Sequence, residues 1–429
     1  METDRTPREP SSHSSFWLTR FVILRLLGFV YFFAFLAAAL QVVPLLGSDG
    51  LTPVTAWTSD VANTLGSRFV AFLRFPSLFW IAAPDRLLVG VAWLGAGLIK
   101  IRGDSCWRDL TCLDYHYLTQ PIPNPLSPWF HFHPPLVHRL EVLYNHFVEL
   151  VSCWLALAPD RWRRLRIMGG LAMLAFQISL ILSGNLSFLN YLTIVPVLAC
   201  FDDAFLRRFA PKRLWAAASR AAETAVESRA GRNAAVGLAA LVAVLSIPVL
   251  VNLASPSQVM NTSFDSLDLV NTYGAFGTVG RERDEIVFEG TRDSAPSDTA
   301  RWIAYEFPAK PGDPMRRPAI IAPYQPRLDW SIWFAAMSSP AQYPWTLHFI
   351  WKLLHGDRGV MMLLANDPFP DAPPRWIRAS FYRYEFAKRG EAGHAWWRRT
   401  RLGIWLPPLS ADDPRLKEMA IERGWRPAP

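Results

Sequence analysis

The apolar positions of this chain form long unbroken runs before Ser257 and short, interrupted ones after it. Runs over Leu26–Leu46, Leu165–Phe201 and Ala234–Ala254 each approach or exceed the ~20 residues a helix needs to cross a hydrocarbon core of about 30 Å. The second run is too long for one helix and breaks at Ser183-Gly184-Asn185. It therefore predicts crossings over Leu165–Ser183 and Leu186–Phe201, joined by an uncharged turn. A further crossing is expected over Leu136–Ala158. The piece Leu87–Ile99 is only about 13 residues long and follows Asp85-Arg86, which suits a re-entrant or interfacial segment. The Leu26 run is too long for a cleavable signal peptide and is expected to stay as an anchor.

After Ser257 charges of both signs, many prolines and ten tryptophans replace the apolar runs. Val270–Gly290 reads as two paired strands with a turn, and Arg301–Phe307, Pro318–Tyr324 and Ile377–Phe386 as further strands. Pro344–His355 carries Leu347, Ile350, Trp351 and Leu354 at helical spacing and reads as a short amphipathic helix.

Composition agrees with a membrane protein: 51% of residues are apolar, with 19 Trp and 27 Phe, rich for a soluble chain. The net charge of +8 raises the question of nucleic acid, and its position answers it. The part before residue 259 holds 22 Lys/Arg against 16 Asp/Glu, the remainder 22 against 20. The excess sits in the short loops Arg161–Arg166 and Arg207–Arg232, a positive-inside pattern and not a nucleic-acid footprint.

With both basic loops inside, the helix over Ala234–Ala254 leads out, and Ile101–Pro135 also lies outside. Arg5, Arg8 and Arg20 keep the N-terminus inside, giving five crossings; a sixth would move it outside against its own arginines. The expected fold is thus an α-helical polytopic membrane bundle of about five crossings over residues 1–258. A C-terminal extracytoplasmic globular domain, mainly β or α+β, follows over 259–429.

The densest polar cluster lies between Gly103 and Glu149. Five of the nine histidines, His116, His131, His133, His138 and His146, fall there. On a helix starting near Leu136, residues His138, Glu141, Asn145 and Glu149 share one face, with His146 at its edge. Ionisable groups at membrane depth must face each other or a wet cavity. Two readings follow. His116, His138, Glu141, His146 and Glu149 are candidates for acid–base catalysis in a membrane enzyme acting on a lipid-like or quinone-like molecule. The plainer reading is a buried network that fixes helix packing. No zinc-type H-E-X-X-H spacing occurs, and neither a metal nor a cofactor is expected.

Cys106 and Cys112 are a disulfide candidate on the outside, where such a bond is permitted, although spacing alone leaves the pairing open. Cys153 and Cys200 lie in apolar helices and read as small core residues. The absence of a Gly-X-Ser-X-Gly elbow, a phosphate loop and a dinucleotide fingerprint argues against lipase chemistry by this chain; a non-enzyme is the favoured reading and the membrane enzyme the alternative. Tyr324, Arg327, Asp329, Trp330 and Trp333 are candidates for binding a client protein, since Tyr, Trp and Arg dominate interface hot spots; ordinary core is the competing reading. Asn261-Thr262-Ser263 is a glycosylation sequon, meaningful in a eukaryotic secretory pathway.

Strings of residues then resemble the lipase maturation factor family. They include Phe16–Arg20, Gly95–Lys100, Cys106–Cys112, Thr119-Gln120-Pro121, Asn145–Glu149, Gly184-Asn185 and Asn190–Ile194. In the last domain they include Asn271–Gly277, Lys310–Pro314, Arg327–Trp330 and Asn366–Phe369. The resemblance implies a multi-pass protein of the endoplasmic reticulum membrane that helps secreted dimeric lipases reach their active fold, with a link to lumenal thiol redox balance. It also implies partners among membrane lipids and lipase-type clients. The Ala/Arg-rich composition looks bacterial; in a prokaryote the membrane would be the cytoplasmic one. One departure stands out: family members carry a further block of membrane sequence between the positions matching Val89 and Val91–Leu94. The enzyme reading is similar, in overall membrane architecture, to the vitamin K-dependent carboxylase group.

Overall fold

The computed structural model describes residues 16–47, 49–74, 104–156, 158–224, 228–255, 257–259, 262–266, 269–272, 276–388 and 393–425. The interfacial segment expected over Leu87–Ile99, the string Gly95–Lys100 and the sequon asparagine Asn261 lie outside them.

Helix α1 (Trp17–Leu46) is followed by α2 (Val54–Thr64) and α3 (Arg68–Arg74). Three short helices come next, α4 (Ser105–Arg108), α5 (Leu113–Thr119) and α6 (Ser127–His131). Helix α7 (Pro135–Phe147) starts on a proline, whose missing N–H matters least in a first turn, and runs on through a π turn at Val148–Ser152 to Leu155. Then come α8 (Arg163–Ser183), α9 (Leu189–Val197), α10 (Asp203–Leu206), α11 (Lys212–Thr224) and α12 (Arg229–Ala254).

Among the described residues, three helices are long and apolar enough to cross a membrane: Trp17–Leu46, Asp160–Ser183 and Arg229–Asn252. The other two expected crossings are helical but different in kind. Leu189–Cys200 is apolar but shorter, and α7 carries His138, Arg139, Glu141 and His146 along its length.

The ends of these helices are fastened by two aspartates. The Asp203 carboxylate accepts the N–H groups of Trp17, Leu18 and Thr19, at 2.8, 2.8 and 3.0 Å. It thereby serves the first turn of α1, which has no local side-chain cap and whose N–H groups otherwise lack acceptors. Asp202 caps α10 through Phe205 N and pairs with Arg163 at the start of α8.

The C-terminal region is α+β. A two-stranded ladder joins β1 (Thr262–Ser263) to β2 (Asn271–Thr272). The main antiparallel sheet uses β3 (Arg283–Thr291), β4 (Ile303–Ala304), β5 (Trp376–Phe386) and β6 (Trp397–Ser410) in the order β4-β3-β5-β6. Helices α13 (Arg327–Ala336), α14 (Trp345–Leu354), α15 (Arg358–Met361) and α16 (Pro414–Glu422) accompany it.

The amphipathic helix expected over Pro344–His355 and the strand over Ile377–Phe386 form as α14 and β5. The hairpin expected within Val270–Gly290 does not: β2 pairs backwards with β1, and β3 pairs with β4 and β5. Pro318–Tyr324 is irregular, and Arg301–Phe307 holds only a two-residue strand. Prolines at 318 and 323 remove ladder donors in the former, and Pro308 follows the latter.

Alternation along β3 sends Ile286 and Phe288 to one face and Arg283, Glu285, Val287 and Glu289 to the other. The first face builds the main core with Ile377, Ala379 and Leu406, against Leu328 and Ile332 of α13 and Phe349, Ile350 and Leu353 of α14. Leu51, from the loop after α1, is part of the same core. The apolar centre of the C-terminal domain is therefore completed by a residue of the membrane part.

Candidate functional site

The polar stripe of α7 faces protein and is divided into separate links to the segment 104–133. His138, 3% exposed, has Nδ1 2.7 Å from Asp114 Oδ1 and Nε2 3.0 Å from the Phe130 carbonyl. Glu141 receives Tyr117 Oη–H on Oε2 at 3.0 Å, and its Oε1 lies 3.2 Å from His133 Nδ1. Burial, and then the Glu141 charge, pushes the Tyr117 phenol well above its usual range. His146 Nε2 lies 2.9 Å from the Trp107 carbonyl, and Asn145 donates to Glu149 at 3.0 Å. His116 is buried on α5, edge-on to Phe276 with centroids 5.0 Å apart, and does not join the stripe.

The ligand atoms of His133, His138 and Glu141 lie within 4.8 Å of one another. A tetrahedral zinc with ligands at 2.0–2.1 Å would need them roughly 3.4 Å apart. Both His138 nitrogens already face acceptors, so the trio fits a hydrogen-bonded node better than a metal site. A small cavity in the C-terminal domain is lined by Lys310, Gly312, Arg316 and Trp397, and no stripe residue lines it.

Cys106 and Cys112 are joined in a disulfide with Cα atoms 4.8 Å apart. Both are buried, packed with Trp107, Val142 and Val279. This loop is tied to the chain after α12: Asp104 N donates to the Gly277 carbonyl at 3.1 Å, and Trp107 Nε1 to the Phe276 carbonyl at 3.0 Å.

One heavily engaged charged group among the described residues was not singled out from the sequence. Arg283, the first residue of β3, has a fully buried side chain. Its guanidinium donates to the carbonyls of Leu118, Gln120 and Pro121 at 2.9, 2.5 and 3.0 Å. It also pairs with Glu285 at 2.7 Å. Lys310 Nζ meets the second Glu285 oxygen at 3.0 Å, a chiefly ionic contact outside hydrogen-bond geometry. It donates as well to the Ile286 and Pro311 carbonyls. Desolvation holds the Arg283 guanidinium below its ordinary range, opposed by Glu285. A residue of the sheet thus reaches into the α5–α6 turn and satisfies three carbonyls there.

Further polar ties repeat the design. Asn185, in the uncharged turn after α8, accepts from Ile321 N and Ala322 N at 3.0 and 3.1 Å and donates to the Ala319 carbonyl at 2.8 Å. Gln41, near the end of α1, accepts from Arg327 N at 2.6 Å and donates to the Gln325 carbonyl at 2.7 Å. Lys352 pairs with Asp49 at 3.1 Å and Asp357 at 2.8 Å, and His348 Nδ1 lies 3.1 Å from the Leu51 carbonyl. The signal for Gln120, Asn185 and Lys310 lay in the resemblance strings. Arg283 lies within Val270–Gly290, which reads from the sequence only as paired strands with a turn.

Several of the client-binding candidates also take part in this interlock. Asp329 is 0% exposed and accepts from Ala309 N and Lys310 N, both at 2.8 Å. Burial pushes its carboxyl up to about 6 against the pull of those N–H groups. Trp333 Nε1 donates to the Thr119 carbonyl at 3.1 Å, and Tyr324 Oη accepts from Gln41 at 2.9 Å. Arg327 is exposed and Trp330 half-buried.

Comparison with known proteins matches two family models in chain order. The lipase maturation factor transmembrane domain matches residues 18–96 and 92–208, and the lipase maturation factor C-terminal domain residues 269–407. The two matches to the transmembrane domain overlap at residues 92–96. Lipase maturation factor 1 of Bos taurus is 38% identical, over 96% of this chain and 92% of its own length. Lipase maturation factor 1 of Mus musculus is 40% identical over 96% and 90%, and lipase maturation factor 2 of Homo sapiens 28% over 81% and 62%. No solved structure matches the chain. With both family models found in order and near-complete coverage of relatives at this identity, the chain belongs to the lipase maturation factor family.

Proposed function

We propose that the protein is a membrane-anchored maturation factor that assists secreted enzymes, lipases among them, to reach their active fold. The carrying observation is family membership across both parts of the chain, joined to an architecture in which an α+β domain is seated on a membrane helical part by buried polar ties. In this reading the helices hold and orient the domain, and the histidine–glutamate stripe is structural. The domain, residues 259–429, faces the lumen of the endoplasmic reticulum or, in a prokaryote, the outer side of the cytoplasmic membrane. Positive-inside loops at Arg161–Arg166 and Arg207–Arg232 support that orientation. Client contact falls to the exposed Arg327 and the half-buried Trp330, with Phe334 and Met337, 45% and 58% exposed, beside them.

The test is co-expression of the full-length protein with a tagged, dimeric secreted lipase, followed by capture of one through the other. Enrichment of inactive, unassembled lipase over finished dimer is expected, reduced by Phe334→Asp/Met337→Asp. Equal capture of finished and unfinished lipase, or none of either, would sink the reading.

A further inference from the structure

One end of the helical part is set apart by charge. There Asp203 holds the first turn of α1, and Asp202 holds the start of α8 through Arg163. The chain then runs from Arg207 to the start of α12 with seven Arg/Lys, namely Arg207, Arg208, Lys212, Arg213, Arg220, Arg229 and Arg232, against Glu223 and Glu227. Between these points lies α11.

At helical spacing Lys212, Arg213 and Arg220 occupy one arc of α11, while Leu214, Trp215, Ala218 and Ala221 occupy the opposite one. The apolar arc is partly covered at Trp215, Ala218 and Ala221, and α11 packs against α1. Arg207 lies over the Trp215 ring, 5.0 Å from its centroid. Lys212 and Arg213 are exposed. Aromatic side chains at the same end are also exposed: Phe209 is 74% exposed and Trp162 53%.

We infer that this end, centred on α11, is a contact surface for the anionic headgroups of a bilayer leaflet. Three features converge on that partner. The helix packs against α1, which is long and apolar enough to cross a membrane, so a leaflet crossed by α1 would bring its headgroups close enough for charge to act. Its cations form one arc, as in helices that lie in the plane of an acidic interface. Its neighbouring Trp and Phe are the residue types that populate the boundary between headgroups and acyl chains. A nucleic acid would account for the cations but not for the apolar arc or the exposed aromatics.

The test uses the full chain in lipid nanodiscs and follows backbone hydrogen exchange over residues 212–224. Discs of phosphatidylcholine alone are compared with discs that also contain phosphatidylglycerol. Exchange is expected to slow roughly tenfold or more in the anionic discs, and the slowing to fade with added salt. Lys212→Gln/Arg213→Gln should abolish most of it, whereas Lys212→Arg/Arg213→Lys should retain it, with β3 and β5 exchanging as in the parent. Equal exchange in both discs, a slowing indifferent to salt and substitution, or stronger protection by added RNA in phosphatidylcholine discs would each overturn the inference.

Discussion

The buried trio Arg283, Glu285 and Lys310 allows a prediction in which the order of effects matters more than their size. All three side chains are 0–2% exposed, and the trio carries two positive charges to one negative. Glu285→Gln leaves Arg283 buried without its ion-pair partner and Lys310 with only the Asp329 charge, which costs about 3–5 kcal/mol. Arg283→Met leaves the Lys310–Glu285 pair intact but abandons the carbonyls of Leu118, Gln120 and Pro121, a loss of about 3 kcal/mol at roughly 1 kcal/mol for each open carbonyl. Lys310→Met keeps the Arg283–Glu285 pair and opens only the Ile286 and Pro311 carbonyls, for about 2 kcal/mol. The three-fold change to Met, Leu and Met at 283, 285 and 310 should cost less than the sum of the single changes, because no unpaired charge remains. Thermal unfolding of the full-length protein in one detergent at neutral pH, followed by tryptophan fluorescence, reads the series at about 1 °C per kcal/mol for a chain of this length. The order Glu285→Gln, Arg283→Met, Lys310→Met is expected. A Lys310→Met variant as unstable as Glu285→Gln, or a silent Arg283→Met, would refute the reasoning.

Further predictions concern acid response and helix fastening. Asp329 has its pKa raised to about 6 by burial, so the folded chain takes up that proton before the unfolded one. Stability from this group therefore rises by about 3 kcal/mol as pH falls from above 6 to below 4. His348 is lowered to about 4 by burial, so the unfolded chain is protonated first and a similar amount is lost between pH 6.5 and 4. The two should nearly cancel in the parent, while Asp329→Asn should lose stability across that window and His348→Gln should gain; parallel profiles for all three would contradict both assignments. Asp203→Ala should lower the unfolding temperature through a loss of about 2 kcal/mol at the start of α1, with Asp203→Asn much milder. Cys106→Ser/Cys112→Ser should cost about 2 kcal/mol from loop closure alone. In the folded parent the buried disulfide should resist a mild reductant, as read by thiol alkylation.

The local elements were legible where one signal dominated. Helix α14 announced itself through apolar residues at three- and four-residue spacing, and β5 through its β-branched and aromatic run. Helix phase placed His138 and Asn145 on one buried face, because that follows from 3.6 residues per turn. What those residues meet did not follow. Asp114, Phe130 and Trp107 approach α7 through the tertiary fold, and nothing in their own spacing says so. The same holds for Arg283, whose partners lie 162–165 positions away. A buried arginine and a surface arginine look alike in sequence. The failed hairpin has a comparable cause: β3 is long, regular and buried on both faces, and β5 with its eleven residues outcompeted a two-residue neighbour for its edge.

The account stands or falls on whether the chain improves the yield of active secreted enzyme. The direct measurement is the specific activity of a dimeric lipase secreted from cells lacking other family members, with and without this protein, together with a His138→Ala/Glu149→Ala variant shown to be folded. Lipase activity per unit of secreted mass should rise severalfold with the parent and equally with the variant. No change with the parent, or a gain that vanishes in the folded variant together with a bound lipid, would contradict the account and return the stripe to the role of an active site.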